Sequence, residues 1–244
     1  MTKLYKVTDK NGKTGAAYNK ELQWDVGVTH TAKGEGSMLC TDGVIHVYKD
    51  PFVAALMTPL RETGEADRLW EAKGDIVAGD ALKYGVKTLT TLREIPIPSI
   101  SPEKRMRIAL LCALSVYQEE NFVQWAHKWL SGEDRSAEGI AKAEAQAEKI
   151  RKAIWQSNLA LISWSSSSPA AEWADPSMQA AEIAARAAEA ATHVAMFYTS
   201  AARDEAEGKD TTGKWKGVES HTAVCVGRAA SVRSIVLNLL PCVL

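Results

Sequence analysis

The sequence carries no excess of charge of either sign: 29 Lys and Arg stand against 30 Asp and Glu, for a net charge of −1. A nucleic-acid surface needs a basic excess and a DNA mimic an acidic one, so neither class is favoured, although a local patch stays open. Cysteine is sparse. Cys40, Cys112, Cys225 and Cys242 lie far apart without a CxxC pair, which disfavours a metal knuckle and fits buried, reduced thiols. No run approaches the roughly 18 uninterrupted apolar residues of a membrane span. Residues 1–13 are polar and lack the apolar centre of a signal peptide, so a cytoplasmic location is expected. The end, Pro241-Cys242-Val243-Leu244, is not a prenylation box, because its cysteine is third from the terminus.

Catalytic signatures are missing as well. Gly34-Glu35-Gly36 lacks both the Gly-Lys-Ser/Thr ending of a phosphate loop and the GxGxxG of a dinucleotide site. There is no GxSxG elbow and no HExxH. Among the five histidines, Cys40 and His46 flank a turn and could share a metal, but ordinary strand residues are the simpler reading. His193 sits in an alanine helix and reads as a packed or surface histidine. Glu119-Glu120 and Glu133-Asp134 read as solvated charge at helix ends. No catalytic, cofactor or metal residue is therefore assigned.

What the chain does have is an abrupt change of composition near residue 101. The first 101 residues hold 10 of the 16 glycines and 9 alanines; the remaining 143 hold 6 glycines and 28 alanines. Alanine is the strongest helix former and the smallest side chain that still fills space. The expectation is an α+β protein: a small antiparallel β-sheet domain with one short helix over residues 1–100, then an Ala-rich α-helical bundle over 101–244. Whether the two share one core is left open.

In the first part, residues 3–8 alternate as a strand and Asn11-Gly12 supplies a turn. Leu39-Cys40 and Val44 to Tyr48 read as strand pieces, and Asp50-Pro51 starts a short helix. Residues 69–78 and 87–95 alternate again, giving about five strands. In the second part, Ser101-Pro102-Glu103 is a strong helix start. Helices are expected at about 102–131, 136–164, 176–207 and 218–240. Ser165 to Ser168 with Pro169 forms a linker, and Gly208 to Gly217 a polar loop.

Eight tryptophans against three phenylalanines are the other anomaly. Trp125 and Trp129, spaced i, i+4, read as core. Trp173 stands beside the Asp175-Pro176 helix start. Trp215, between Lys214 and Lys216 in the glycine-flanked loop, either anchors a partner or folds back on the helices. Trp173, Lys214, Trp215 and Lys216 are the candidate partner-binding residues.

Leu4-Tyr5-Lys6-Val7-Thr8-Asp9, Leu39 to Tyr48 followed by Asp50-Pro51, and Glu71 to Val77 with Arg93-Glu94-Ile95 resemble an uncharacterised domain of bacteriophage and prophage proteins. That domain often opens the chain and precedes variable, frequently alanine-rich sequence. The resemblance covers about residues 3–95 and brings no catalytic residues. It implies a non-enzymatic anti-defence protein, similar to anti-CRISPR proteins, in the host cytoplasm. Such a protein binds a host protein or ribonucleoprotein immune complex, of the CRISPR-Cas kind for example, and disables it through protein–protein contacts, without DNA mimicry, cofactor or membrane. Two alternatives stand beside it: a nucleotide-signal-binding or -degrading protein with a pocket between sheet and helices, and a phage structural or assembly protein. His46 and Tyr48 mark either a ligand pocket or a strand packed on the short helix.

Overall fold

A computed structural model describes residues 2–14, 21–57, 67–80, 82–164 and 176–232. It is an α+β protein that divides into two compact units, Met1–Ile100 and Ser101–Leu244. Trp173, the 165–169 linker, Cys242 and the apolar stretch after residue 232 lie outside the described residues.

The first unit contains β1 (Thr2–Thr8), β2 (Lys13–Thr14), β3 (Leu22–Gln23), β4 (Thr29–Thr31), β5 (Ile45–Val47), α1 (Pro51–Met57), β6 (Arg68–Gly79) and β7 (Tyr84–Ile95). Five strands form an antiparallel sheet in the order β1-β6-β7-β4, with β5 also paired to β7; β2 and β3 form a separate hairpin. The long β6–β7 hairpin is interrupted by register shifts at Glu71/Ala72, Gly74/Ile76 and Ile76/Ala78. Such bulges bend and twist a ribbon. The bend lets β5 reach back to β1, where Tyr5 and Tyr48 exchange two backbone hydrogen bonds of 2.8 and 2.9 Å. The sheet thereby curls around a core of Leu4, Trp24, Val47, Trp70, Val86 and Leu89.

Because of this curl, β1 is buried on both faces from Leu4 to Thr8. Its other face carries Tyr5 and Val7, which pack with Leu69, Tyr48 and Ala54 of α1. Tyr48, one residue past β5, is bridged to Tyr5 and packs against the cluster that includes Ala54 of α1. Asp50 caps that helix as expected: its Oδ1 accepts from the backbone N–H groups of Phe52 (2.7 Å) and Val53 (3.1 Å). Leu39-Cys40 departs from the expected strand. It is a turn, and Cys40 stands at φ 62°, in the left-handed region.

The second unit comprises α2 (Pro102–Val116), α3 (Glu120–Ser131), α4 (Ala137–Trp164), α5 (Pro176–Ala206) and α6 (Thr212–Val232). The expected 102–131 helix is two helices. Tyr117 is extended, and the Glu119 carboxylate accepts from Phe122 N–H at 2.9 Å, so a new cap starts α3. The last helix begins six residues earlier than expected, at Thr212. Asp210 Oδ1 accepts the Thr212 N–H at 2.9 Å, and Thr211 O receives Lys214 and Trp215 N–H. Gly217 is needed inside this helix for a different reason: a Cβ there would lie 2.7 Å from the Phe197 ring of α5.

Alanine does what its size allows. Ala184, Ala185, Ala187, Ala188, Ala191 and Ala195 of α5 are buried, and α5 lies against α2, α4 and α6. Cys225 of α6 sits deep in this packing, with its thiol 3.2 Å from Ala109 O and 3.3 Å from Ala187 O. Burial raises its pKa and pushes the Cys112 thiol up to about 12, so both are inert packing groups.

At the start of α2, the Ser101 side chain accepts from Lys104 N–H at 3.3 Å and Pro102 follows. Ser101→Ala is expected to cost about 1 kcal/mol, read as a lower urea midpoint at unchanged slope. An unchanged midpoint would show that the cap contributes nothing.

Candidate functional site

Of the four sequence-nominated residues, the described three lie in the first turns of α6, which corrects their placement in a polar loop. Lys214 is engaged by the Asp204 carboxylate of α5, whose pKa that ammonium lowers. Trp215 is half-buried and meets Tyr198 edge-on, with ring centroids 5.8 Å apart. Tyr198 in turn meets buried Trp129 at 5.7 Å, and the Arg135 guanidinium lies 4.4 Å over the Trp129 ring. Trp215 is therefore the outer end of an aromatic row that folds back on the helices. Of the three, only Lys216 is exposed.

A stronger surface candidate lies on the first unit, at residues the sequence reading did not nominate. Asp25 to Val28 form a tight turn closed by Val28 N–H to Asp25 O at 3.1 Å, with Gly27 at φ 77°. Buried Thr91 of β7 holds the turn. Its backbone O accepts from Gly27 N–H (2.9 Å), its N–H donates to Val28 O (3.0 Å), and its hydroxyl is shared between Asp25 O (2.5 Å) and Val28 O (3.1 Å). Val26 and Leu92 are each one residue from this bonded pair, and they are 63% and 39% exposed.

The exposure of Leu92 has a geometric cause. Glu71 pairs with Arg93 but Ala72 with Thr91, so Leu92 is the extra residue of a bulge and opposes nothing on β6. The two residues after Leu92 carry ion pairs to β6. Arg68 Nε donates to Glu94 at 3.0 Å, and Glu71 accepts from Lys3 (3.0 Å) and Arg93 (2.9 Å). Those two hydrogen-bonded cations, Lys3 foremost, hold the Glu71 carboxyl below its ordinary range. Exposed apolar side chains beside ion-paired charge suit a protein-binding patch. The only sequence signal for it is an apolar residue at a turn tip, between Asp25 and Gly27.

The Cys40–His46 pair is brought together, but not as metal ligands. Cys40 N–H donates to His46 Nε2 at 2.9 Å, and Lys83 Nζ donates to Cys40 Sγ at 3.0 Å. Among the described residues, no group of three His, Cys, Asp or Glu is arranged to hold a metal. Burial first, then Lys83 and Lys6, lower the His46 pKa to about 4. A neutral ring with a free Nε2 lone pair is what the Cys40 contact requires. On α5, His193 Nε2 lies 2.7 Å from Glu144 Oε1 of α4, and its ring meets His221 edge-on. His221 Nδ1–H donates to Gly217 O at 2.9 Å, and burial lowers its pKa. These contacts tie α4, α5 and α6 together. Compared with protein-family models, with curated proteins and with solved structures, the chain matches none.

Proposed function

We propose that this chain is a non-enzymatic, phage-type anti-defence protein that binds a bacterial immune complex and disables it by covering a protein surface. The observation that carries this reading is the rigid apolar edge at Val26 and Leu92. A turn held by the backbone and hydroxyl of one buried threonine presents Val26 with little conformational freedom left to lose, and preorganisation of that kind favours binding. The ion pairs beside it supply a polar margin that sets orientation. Lys216 and the outer edge of Trp215 form a second, smaller contact on the helical unit. The resemblance of residues 3–95 to a phage domain is the reason for seeking the partner among host defence complexes.

The test is a plating assay. Expressing the chain in hosts that each carry one defined immune system, CRISPR-Cas among them, is expected to restore plating of a targeted phage on one such host. Val26→Asp with Leu92→Asp removes the restoration while the thermal midpoint stays within a few degrees, because both side chains are already exposed. Full restoration by the double variant rules out this edge as the contact. No restoration on any defended host removes the anti-defence reading itself.

A further inference from the structure

A side chain in the helical unit is left chemically incomplete by the fold. Arg105, in the second turn of α2, is only 7% exposed. Its nearest carboxylate is Glu219 of α6, whose Oε1 lies 3.9 Å from Nη2, too far for a hydrogen bond. Among the described residues, Nε and Nη1 meet no acceptor. The Glu219 side chain is itself 47% exposed, so its charge is largely spent on solvent.

Arginine cannot escape this situation by shedding its proton. Burial lowers its pKa from 12.5 and Glu219 partly offsets that, but a guanidinium remains a cation at any physiological pH. Three N–H donors, on Nε and Nη1, and a full positive charge are therefore buried on the α2–α6 seam, with Glu219 the nearby carboxylate. A buried cation of this kind calls for an anion that accepts from more than one of its N–H groups. Neutral neighbours could satisfy the hydrogen bonds but not the charge. Arg105 shares its face of α2 with Ile108 and Cys112, at i+3 and i+7, and both of these are buried apolar groups that offer it no counter-charge.

We propose that Arg105 is the recognition element of an oxyanion site on the α2–α6 seam, which takes a phosphate or carboxylate group. Glu219 stands at its mouth and opposes the incoming charge, so it tunes affinity downward. The site is separate from the Val26–Leu92 edge, and the inference does not rest on the anti-defence reading.

Titration calorimetry of the full chain, at fixed ionic strength, tests this with inorganic phosphate in one arm and acetate in the other. Wild type is expected to give a saturable, one-site isotherm in at least one arm, and the arm that saturates more tightly identifies the ligand class. Arg105→Met is expected to weaken that isotherm by about tenfold or more, and Glu219→Gln to tighten it a few-fold. Should Arg105→Met lose its helical circular dichroism, Arg105→Lys carries the test. It keeps the charge but not the planar fork, and it is expected to bind several-fold more weakly. A wild-type chain with no saturable heat in either arm overturns the proposal. So does binding that is unchanged in the folded Arg105 variant.

Discussion

Trp70→Ala is expected to destabilise the first unit by about 3–5 kcal/mol. Trp70 is fully buried on β6 and shares the inner core with Leu4, Trp24, Val47 and Val86. Its indole N–H donates to Thr8 Oγ1 at 3.1 Å, and the Arg68 guanidinium covers its ring at 4.4 Å. Truncation removes one of the two tryptophans of this core, and it takes the indole donor from the buried Thr8 hydroxyl. Native-state hydrogen exchange of the β6 and β7 amides is the appropriate readout, because it reports on these strands separately from the helices. Thr8→Val removes the acceptor of the indole N–H together with the hydroxyl's own 3.0 Å bond to Asp9 O, and is expected to cost about 1–3 kcal/mol. Wild-type protection of β6 and β7 in Trp70→Ala would mean that the curled sheet is not organised around this residue.

The second large effect is a pH dependence that belongs to His46. In the unfolded chain this histidine titrates near 6.5; in the fold it titrates at about 4, because burial and the charges of Lys83 and Lys6 disfavour the imidazolium, against a smaller opposing effect of Asp80. Protonation would also place an N–H at Nε2, where the Cys40 N–H already points. Between those two values the unfolded state binds more protons than the folded one, so stability rises with pH. The contribution of the neutral ring is complete above about pH 6.5, falls as the pH drops, and is gone below about pH 4. Allowing for solvent screening of a partly exposed ring, it amounts to roughly 2 kcal/mol.

Carboxylates such as Glu71 and Asp204, whose pKa values are also lowered, steepen acid unfolding at the bottom of this range in any variant. A difference profile isolates His46. His46→Gln retains an acceptor for the Cys40 N–H but has nothing to titrate. Its urea midpoint is expected to stay nearly level from pH 6.5 to 5 while that of wild type falls. Parallel profiles for the two proteins would show that the ring is not held neutral.

The elements that could be read before the structure are those whose determinants are local. The Ser101-Pro102 start of α2 and the Asp50-Pro51 start of α1 are capping arrangements within four residues, and both form as written. The alternation in 3–8, 69–78 and 87–95 identifies β1, β6 and β7, because one face of each strand is repeatedly apolar. By contrast, β4 is Thr-His-Thr, with no apolar residue. It exists because its threonines meet Thr88 and Thr90 across the ladder, with hydroxyls 3.1 and 2.8 Å apart. The start of α6 was hidden by Gly213 and Gly217, which read as loop residues until Phe197 shows why a side chain would not fit at 217.

The surface candidates divide in the same way. Trp215 stood out by composition, but composition cannot say that Tyr198 waits beside it, seventeen residues earlier on another helix. Leu92 looked like any strand residue, because a bulge depends on the register of two strands and not on either alone. Arg105 looked like one more cation on an amphipathic helix, and only α6 reveals that it is buried.

By itself, then, the sequence determined the class of fold, the point near residue 101 where glycine-rich strand gives way to alanine-rich helix, and the helix starts with caps of their own. Those are propensities and short-range hydrogen bonds, and they act before the chain has compacted. Tertiary structure alone decided that the sheet closes through Tyr5 and Tyr48, that Val26 and Leu92 face water, that His46 stays neutral, and that Arg105 is left wanting an anion. Each of these depends on groups far apart in the chain meeting at a distance of a few ångströms, and pairwise burial and charge are not encoded in any local window.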